Sequence, residues 1–420
     1  MRCLWLIFLC ARALAADPEA DVSDLPRIPP TEPANALNTF KVKPGFRVEL
    51  AASEPNVRDP VAISFDEYGR MYVVEMRDYS ERRDERLGEV RLLEDTDNDG
   101  AFEKSTVFAG GLPWPTAVIC FGGGVFVATT PDILFLRDTN GDGKADERRV
   151  VLTGFGKGLE RLNVQALPNS FNWTLDHRIH GATGPNGGQV TAVNSPAAPV
   201  ELRGRDFSFD PRTLDLRAET GGSQHGLTFD NYGRKFVCNN SSHIQTLMYE
   251  ERYAARNAVY SLPRALVDIA KDGGAAPVYR ISPDEPWRVI RTQWRVAGKV
   301  PGPIEGGGRA SGYFTSATGV TIYRGDAYGP EFVGDAFIGD CGSNLVHRKK
   351  VRSNGIGLVA ERPADEQKTE FLASTDNWFR PVQFANAPDG CLYVLDMYRE
   401  VIEHPWSLPP GIKKHLDLNS

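Results

Sequence analysis

The sequence lacks the motifs that bind nucleotides or activate a serine nucleophile. It contains no G-x-G-x-x-G in a βαβ setting, no P-loop and no G-x-S-x-G. No C-x-x-C-H is present, so this sequence carries no attachment site for a c-type haem. These absences argue against nucleotide-dependent dehydrogenases, P-loop NTPases and α/β-hydrolases. Any redox cofactor must therefore be held in another way.

Long apolar runs are also scarce, and the sequence has no excess of positive charge. The apolar stretch at residues 4–11 is too short to span a bilayer. It follows Arg2 and precedes the small-residue pattern Ala-Leu-Ala at 13–15, which predicts a signal peptide over residues 1–16 and export to the periplasm or the exterior. The Pro-rich residues 17–38 are interpreted as a tether. The net charge of −7 argues against nucleic-acid binding.

A β-hairpin phrase recurs along the chain. Residues 60–75 read PVAISFDEYGRMYVVE, residues 226–238 read GLTFDNYGRKFVC, and residues 381–397 read PVQFANAPDGCLYVLDM. Each joins an alternating apolar run to a second β-rich run through a turn that contains Gly. With almost no helical pattern between them, these hairpins predict an all-β fold. The expected architecture is a six-bladed β-propeller of four-stranded antiparallel blades over residues 40–420.

Blade boundaries follow from the spacing of the β-rich runs. An insertion is expected at about 245–290, where residues 250–270 are the best helical candidate although Pro263 would break or kink a helix. The last blade looks incomplete, because no strand-like run follows Met397. Either the run at 46–50 closes the ring or the chain is cut short. The expected blades are 40–112, 113–155, 156–210, 211–295, 296–374 and 375–420.

Two acidic loops share one pattern. Residues 95–103 read DTDNDGAFE, and residues 138–146 read DTNGDGKAD. Alternating carboxylates around a Gly form the front half of a calcium loop, but Thr106 and Arg149 replace the carboxylate at the twelfth position, so these are not EF-hands. The alternative is a plain acidic turn. The predicted ligands of structural Ca²⁺ are Asp95, Asp97, Asp99 and Glu103 in one loop, and Asp138, Asn140, Asp142 and Asp146 in the other.

Both loops are expected between the third and fourth strands of a blade. The opposite face should then carry function, through residues just before each innermost strand and just after each second strand. These residues are rich in basic, hydrogen-bonding and aromatic side chains, which suit a planar polyanionic cofactor or a polyol. The predicted binding residues are Arg161, Asn163, Gln224, Asn240, Arg380, Asp396 and Arg399. The predicted catalytic residues are His225, as the first choice of general base, followed by His243 and Asp340.

Longer phrases resemble one family. They include PGFRVELAASEP at 44–55, RDTNGDGKADERRVVLTGFG at 137–156, GLTFDNYGRKFVCNNSSH at 226–243 and LYVLDMYREVIEHPW at 392–406. The chain resembles the N-terminal propeller of the membrane-bound-dehydrogenase-type proteins of planctomycetes and related bacteria. These are similar to the soluble quinoprotein glucose/sorbosone dehydrogenases. The resemblance implies a six-bladed propeller with calcium, a central pocket for pyrroloquinoline quinone (PQQ), and an electron acceptor such as a cytochrome on another chain.

Three hypotheses for function stay open. In the first, the chain is an exported PQQ-dependent dehydrogenase of a sugar or polyol, with Arg161, Arg380 and Arg399 on the quinone carboxylates. In the second, it is a non-catalytic, calcium-stabilised propeller that binds a glycan or a protein partner. In the third, it is a lactonase whose axial metal is held by residues such as Asn163, Asn240 and Asp396. Cofactor retention separates the first hypothesis from the other two.

Overall fold

The strands radiate as separate sheets from one common axis. The computed structural model describes residues 22, 24–257, 259–260 and 262–419. Their paired strands are antiparallel and form six sheets. The first strand of each sheet contacts the first strand of the next, and Pro381–Asn386 of the last sheet contacts Pro60–Phe65 of the first. This closed ring confirms the predicted all-β propeller.

Five of the sheets have four or more strands and are complete blades. Blade one comprises Pro60–Phe65, Met71–Glu75, Gly88–Glu94 and Lys104–Leu112. Blade two comprises Pro115–Phe121, Gly124–Thr129, Asp132–Arg137 and Glu147–Phe155, with the outer strands Gly188–Ala192 and Val200–Glu201. Blade three comprises Asn169–Trp173, Ile179–Ala182, Asp206–Phe209 and Leu216–Glu219. Blade four comprises Leu227–Phe229, Lys235–Asn239, Ser242–Leu247 and Leu266–Asp268. Blade five comprises Ala317–Ile322, Ala336–Asp340, Leu345–Asn354, Gly357–Glu361 and Leu372–Ser374, joined by Phe40–Val42.

The repeated hairpin phrase encodes one local turn. In blade one, Asp66 accepts hydrogen bonds from the backbone N–H groups of Tyr68 and Arg70, and Gly69 takes the left-handed conformation with a φ of 79°. The turn after strand Leu227–Phe229 repeats this arrangement around an aspartate and a glycine. Because the aspartate and the glycine fix the turn, the two flanking strands pair in one register and bury their apolar residues between neighbouring blades.

The sixth sheet has two strands, Pro381–Asn386 and Leu392–Asp396. The N-terminal strand Phe40–Val42 does not join it and pairs with Leu372–Ser374 of blade five. The run at 46–50, which was the candidate closing strand, forms no strand; Phe46 packs instead against Tyr328, Phe332 and Phe371. A cleft of about 1400 Å³ lies between this N-terminal segment and the two-stranded sheet.

Helices are few and short in the described part of the chain. The α-helices are Pro33–Ala36, Glu251–Ala254, Pro286–Val296 and Pro410–His415, and the 3₁₀ helices are Leu37–Thr39, Arg83–Glu85, Ala364–Glu366 and Pro405–Ser407. The helix predicted over 250–270 is wrong beyond its first turn. Residues 266–268 of that stretch form the outer strand of blade four, and Pro263 separates the two. None of the described helices has the length and apolar character that crossing a membrane requires.

Residues 24–38 lie against the propeller. Arg27 forms an ion pair with Glu400, and the Trp378 indole donates a hydrogen bond to the carbonyl oxygen of Ile28 at 2.8 Å. The predicted signal peptide over 1–16 falls outside the described residues. The described cysteines are free thiols in or beside strands, namely Cys120, Cys238, Cys341 and Cys391.

Candidate functional site

A covered cavity of about 280 Å³ lies where the first strands of the blades meet. Its floor includes Val61 of blade one, Thr116 of blade two, Ala317 of blade five and Val382 of the two-stranded sheet. Residues from several blades can reach it because the first strands converge on the axis of the ring. We call it the axial cavity.

Two segments that are not part of any blade cover the axial cavity. One is the helix Pro286–Val296, which we call the cover helix, together with the Gly-rich loop at 302–308. The other is the C-terminal stretch 402–407. The Tyr79 hydroxyl donates to the Ile402 carbonyl oxygen at 2.7 Å, and Arg295 donates to the Ser407 carbonyl oxygen at 2.9 Å. These bonds hold the C-terminal stretch across the cavity.

Three of the predicted site residues line the cavity together: Gln224, His225 and Asn240. The Gln224 side-chain oxygen accepts a hydrogen bond from the Asn240 backbone N–H at 3.2 Å. His225 Nε2 is buried and has no hydrogen-bond partner among the described residues. Burial lowers the pKa of His225 to about 4, so its imidazole is neutral near neutral pH. A neutral, unpaired imidazole can accept a proton or a hydrogen bond from a ligand hydroxyl.

The cover helix turns an arginine face toward the cavity. Pro286 begins the helix, and the spacing of three and four residues places Arg288, Arg291 and Arg295 on one side, where all three are buried. Arg288 is paired with Glu285 and Glu403. Arg291 donates to Glu403 at 3.3 Å through one terminal nitrogen only. The remaining N–H groups of the cavity-lining arginines, Arg291 Nε and Nη1 and Arg295 Nε, have no partner in the described structure.

Two carboxylates lie beside these arginines, and their environments differ. Burial opposes ionisation of Glu403, but Arg291 and Arg288 hold its pKa at about 2, so it is ionised at neutral pH. Glu305 belongs to the Gly-rich loop and has no ion-pair partner in the described chain. Burial, aided by the negative charge of Glu403, raises the pKa of Glu305.

The Gly-rich loop is shaped around an arginine. Gly302 has a φ of 134°, and a Cβ built there would lie 2.5 Å from Arg295 Nε. Any other residue at this position would meet the guanidinium and leave the left-handed backbone conformation strained. The glycine at this position therefore leaves room for the Arg295 guanidinium.

Two arginines predicted to hold a quinone do not line the cavity. Arg380 is completely buried and donates to the carbonyl oxygens of Cys341, Arg399 and Glu400. Arg399 uses its terminal nitrogens on Asp59, at 2.6 Å, and on the carbonyl oxygens of Tyr79 and Leu418. These guanidiniums hold the C-terminal chain in place, so the predicted use of both for cofactor carboxylates is wrong.

The other predicted residues are scattered around the ring. Arg161 stacks on Trp406 with 4.6 Å between its Cζ and the ring centre. Asn163 accepts a hydrogen bond from the backbone of Gln165. His243 packs face to face on Phe314 at 4.3 Å and bonds the Gly274 carbonyl oxygen at 2.9 Å. None of these three predicted residues lines the axial cavity.

Two aspartates at strand ends, the buried Asp340 and the half-buried Asp396, accept hydrogen bonds from nearby backbone N–H groups. Asp340 accepts hydrogen bonds from the backbone N–H groups of Gly342 and Thr315, and burial raises its pKa to about 6. Asp396 accepts from the backbone of Arg380 at 2.7 Å, and burial raises its pKa to about 7. Asp396 borders the N-terminal cleft rather than the axial cavity. The residues suggested for a lactonase metal, Asn163, Asn240 and Asp396, therefore do not share a site.

The acidic loops lie between the third and fourth strands of blades one and two, as the sequence predicts. In the first loop, oxygens of Asp95, Asp97, Asp99 and Glu103 lie within 4.8 Å of one another. The second loop has the same backbone frame: Asp146 bonds the backbone and hydroxyl of Thr139 as Glu103 bonds those of Thr96. The members of the second loop are Asp138, Asn140, Asp142 and Asp146. Only the first loop brings three or more carboxylates within this distance in the described chain.

Sequence reasoning missed Arg291, Arg295 and Glu305. The signal for the arginines was a proline followed by arginines at helical spacing, PWRVIRTQWRV, a pattern that an exposed helix also shows. The signal for Glu305 was the lone acid in GPIEGGG. Neither motif indicates by itself that the residue faces the propeller axis.

The geometry defines an all-β propeller with a covered axial cavity lined by both polar and apolar side chains. The chain belongs to the family described as a domain of unknown function, DUF7133, whose model matches residues 32–420. Among curated proteins no similar sequence is found.

Solved structures resemble the chain in fold. An oxidoreductase described as a glucose dehydrogenase from Thermus thermophilus is 14% identical with a TM-score of 0.49, over 87% of this chain and 98% of that one. The PQQ domain of pyranose dehydrogenase from Coprinopsis cinerea, in its holo form, is 13% identical with a TM-score of 0.47, over 88% and 96%. The soluble aldose sugar dehydrogenase of Escherichia coli is 13% identical with a TM-score of 0.46, over 86% and 97%. At these identities the likeness concerns the fold and assigns no activity to this chain.

Proposed function

We propose that this chain binds a small sugar or polyol in the axial cavity. The observation that carries the proposal is that three residues lining one covered space have buried, unpaired polar atoms: His225 at Nε2, Arg291 at Nε and Nη1, and Arg295 at Nε. Buried polar atoms are normally paired, and unpaired ones in a cavity indicate a ligand or water. The cavity of about 280 Å³ lies just below the usual range of small-molecule sites, roughly 300–1,000 Å³.

The rest of the lining suits a polyhydroxylated molecule. The lining contains both amide or hydroxyl side chains and apolar ones, so a ligand would find hydrogen-bond partners and apolar contacts. Gln165, for example, already uses its amide nitrogen on Tyr79 and on the Ile402 carbonyl oxygen. The polar lining residues besides His225 and the arginines include Gln165, Gln224, Asn240, Glu305, Thr315 and Ser316.

The first hypothesis from the sequence is oxidation of the ligand by a quinone. The arginines predicted to bind that cofactor do not fit it. PQQ is a planar polycarboxylate. Arg380 and Arg399 are engaged with the protein, and Arg161 does not line the cavity, so none of the three arginines predicted for the quinone carboxylates is available there. We therefore derive no step through a quinone or through a cytochrome acceptor, and the binding function is proposed by itself.

Isothermal titration calorimetry tests the proposed function. The purified chain is titrated with D-glucose, D-sorbitol and D-glucuronate, and in parallel with PQQ plus Ca²⁺. Saturable, one-to-one binding of at least one carbohydrate, abolished in a variant that fills the cavity such as Ala317→Trp, is expected. Far-ultraviolet circular dichroism of the variant checks that it folds.

Two other outcomes of this experiment would change the proposed function. Stoichiometric PQQ retention with sugar-dependent dye reduction would replace the binding function with the dehydrogenase. The absence of any carbohydrate binding by a folded chain would overturn the proposal.

Three finer predictions remain proposals. We propose that the two-stranded sheet is the inner half of a sixth blade, since Pro381–Asn386 completes the ring of first strands.

We propose Ca²⁺ in the acidic loops, supported by the converging carboxylates of the first loop. We propose export from the cell, supported by the signal-like residues 1–16; N-terminal sequencing of the exported protein would find a start near residue 17.

A further inference from the structure

We infer that the ligand of the axial cavity is an acidic sugar, with its carboxylate on Arg291 and Arg295 and a hydroxyl on His225 or Glu305. The inference rests on the proposed carbohydrate-binding function and names the class of carbohydrate. Uronic acids such as D-glucuronate combine the two chemistries, since they carry one carboxylate on a polyhydroxylated ring.

The arginines of the cover helix differ in how many of their N–H groups are paired. Arg288, facing Glu285 and Glu403, forms ion pairs with both. Arg291 pairs with Glu403 through one terminal nitrogen. Arg295 forms no ion pair in the described part of the chain. Both side chains are more than nine-tenths buried, with relative exposures of 5% and 8%. A buried guanidinium without an anion is costly, so a charged partner supplied by a ligand would stabilise it.

The free N–H groups are Arg291 Nε and Nη1 and Arg295 Nε, three donors on neighbouring turns of one helix face. Nε and Nη1 lie on opposite edges of a guanidinium, so one carboxylate would accept one charge-assisted hydrogen bond from Arg291 and one from Arg295. Gly302 leaves room for the Arg295 guanidinium, because a Cβ built there would lie 2.5 Å from Arg295 Nε.

Glu403 is neutralised by Arg288 and Arg291, so it does not oppose an incoming anion strongly. Glu305 borders the cavity without an ion-pair partner among the described residues, and burial raises its pKa. Its carboxyl group and the neutral His225 can both exchange hydrogen bonds with hydroxyl groups. The site therefore offers cations for one end of a ligand and hydroxyl partners for the other.

Calorimetric titration with a matched pair of sugars tests the inference. D-glucuronate and D-glucose share one ring and differ by the carboxylate in place of a hydroxymethyl group. We expect D-glucuronate to bind at least about tenfold more tightly, with an affinity that falls as salt is added. Acetate alone should bind far more weakly than D-glucuronate, because it lacks the hydroxyl groups.

Variants separate the carboxylate contact from general damage to the cavity. Arg291→Gln and Arg295→Gln should each weaken D-glucuronate binding by about tenfold or more and weaken D-glucose binding by a smaller factor, because only the uronate loses a charged contact. Arg295→Lys keeps the charge and should retain part of the affinity. Arg352→Gln, at an exposed arginine outside the cavity lining, is the matched control and should change neither.

Each remaining outcome contradicts the inference in an identifiable way. Equal or tighter binding of D-glucose would overturn the acidic class while leaving the proposed carbohydrate-binding function in place. Arginine variants that weaken both sugars alike would show that the arginines act by shaping the cavity. Tighter binding of D-glucose 6-phosphate than of D-glucuronate would replace the carboxylate with a phosphate. Binding of no sugar at all would overturn both proposals together.

Discussion

Arg291 donates a hydrogen bond to Glu403 across 3.3 Å, and the two residues are 112 positions apart in the chain. This contact joins the cover helix to the C-terminal stretch, and Arg288 reinforces it with a second bond to Glu403 at 2.6 Å. The two segments that cover the axial cavity are thus tied to each other by charge. The cover and the ligand site therefore depend on the same arginine.

Replacing Glu403 should loosen the cover. Glu403→Gln leaves two buried arginines without their shared partner, and loss of one member of a buried pair costs about 3 kcal/mol. The free energy of unfolding, measured by urea denaturation at pH 7, should fall by about this amount. Glu85→Gln removes an exposed partner of Arg82 and should change stability little. Equal stability of wild type and Glu403→Gln would contradict the proposed role of the pair.

The ionisation of Glu403 also makes the free energy of unfolding depend on pH, with a sign set by its lowered pKa. The folded pKa of Glu403, about 2, lies below its usual value of 4.5. Its contribution is therefore complete above pH 4.5 and is lost as the pH falls through about 2. The urea midpoint of wild type should drop more steeply in this window than that of Glu403→Gln. Parallel curves for the two proteins would contradict this assignment.

A buried histidine adds a second acid-sensitive element outside the cavity. Burial lowers the pKa of His243 from 6.5 to about 3, beside Lys349 and His347. The folded state then excludes a proton that the unfolded state binds, so stability is lost as the pH falls from 6.5 toward 3. His243→Phe should flatten this part of the stability profile, whereas His177→Phe, at an exposed position, should not. Unfolding monitored by circular dichroism across the range distinguishes the two.

The contact between blade five and the two-stranded sheet tolerates no side chain at Gly339. A Cβ built there would lie 2.3 Å from the Pro381 carbonyl oxygen. Gly339→Ala should lower the free energy of unfolding by about 1–3 kcal/mol, because one of the two sheets must shift. Gly357→Ala is the control, since the nearest atom to a Cβ there is 3.8 Å away. Equal stability of the two variants would show that the two-stranded sheet does not pack in the ring as described.

Calcium in the first acidic loop would appear as a metal-dependent shift in stability. Ca²⁺ at 100 times its dissociation constant adds about 2.7 kcal/mol to the free energy of unfolding. The melting temperature of chelator-treated protein should therefore rise on adding Ca²⁺, and Asp97→Asn should reduce the rise. Asp389→Asn changes a turn aspartate that bonds the Cys391 backbone outside the loops, and should keep the full rise. A melting temperature insensitive to Ca²⁺ would leave the loops as plain acidic turns.

The parts of the fold that were predictable from sequence are local. The turn around Asp66 and Gly69 is encoded within five residues, so the phrase that contains it predicts a hairpin wherever it recurs. His225 could be placed near the axis because it closely precedes the first strand of a blade. The helix expected over 250–270 was wrong because an alanine-rich pattern alone does not show that residues 266–268 are needed to complete blade four.

The residues that failed or were missed depend on distant partners. Arg380 resembles a surface arginine in sequence, but it contacts Glu285, which is 95 positions away, and carbonyl oxygens of the C-terminal chain. Arg291 and Arg295 enter the cavity only because the cover helix folds back over the ring. Such packing is set by tertiary contacts that no local motif records.

A crystal structure of the chain soaked with D-glucuronate tests the central claim most directly. The account predicts sugar density inside the axial cavity, within hydrogen-bond distance of His225 Nε2 and with a carboxylate on Arg291 and Arg295. If a parallel soak with D-glucose gave density in this cavity and the D-glucuronate soak did not, the binding function would stand and the acidic class would be rejected. Water alone in the cavity at a saturating sugar concentration would contradict the account.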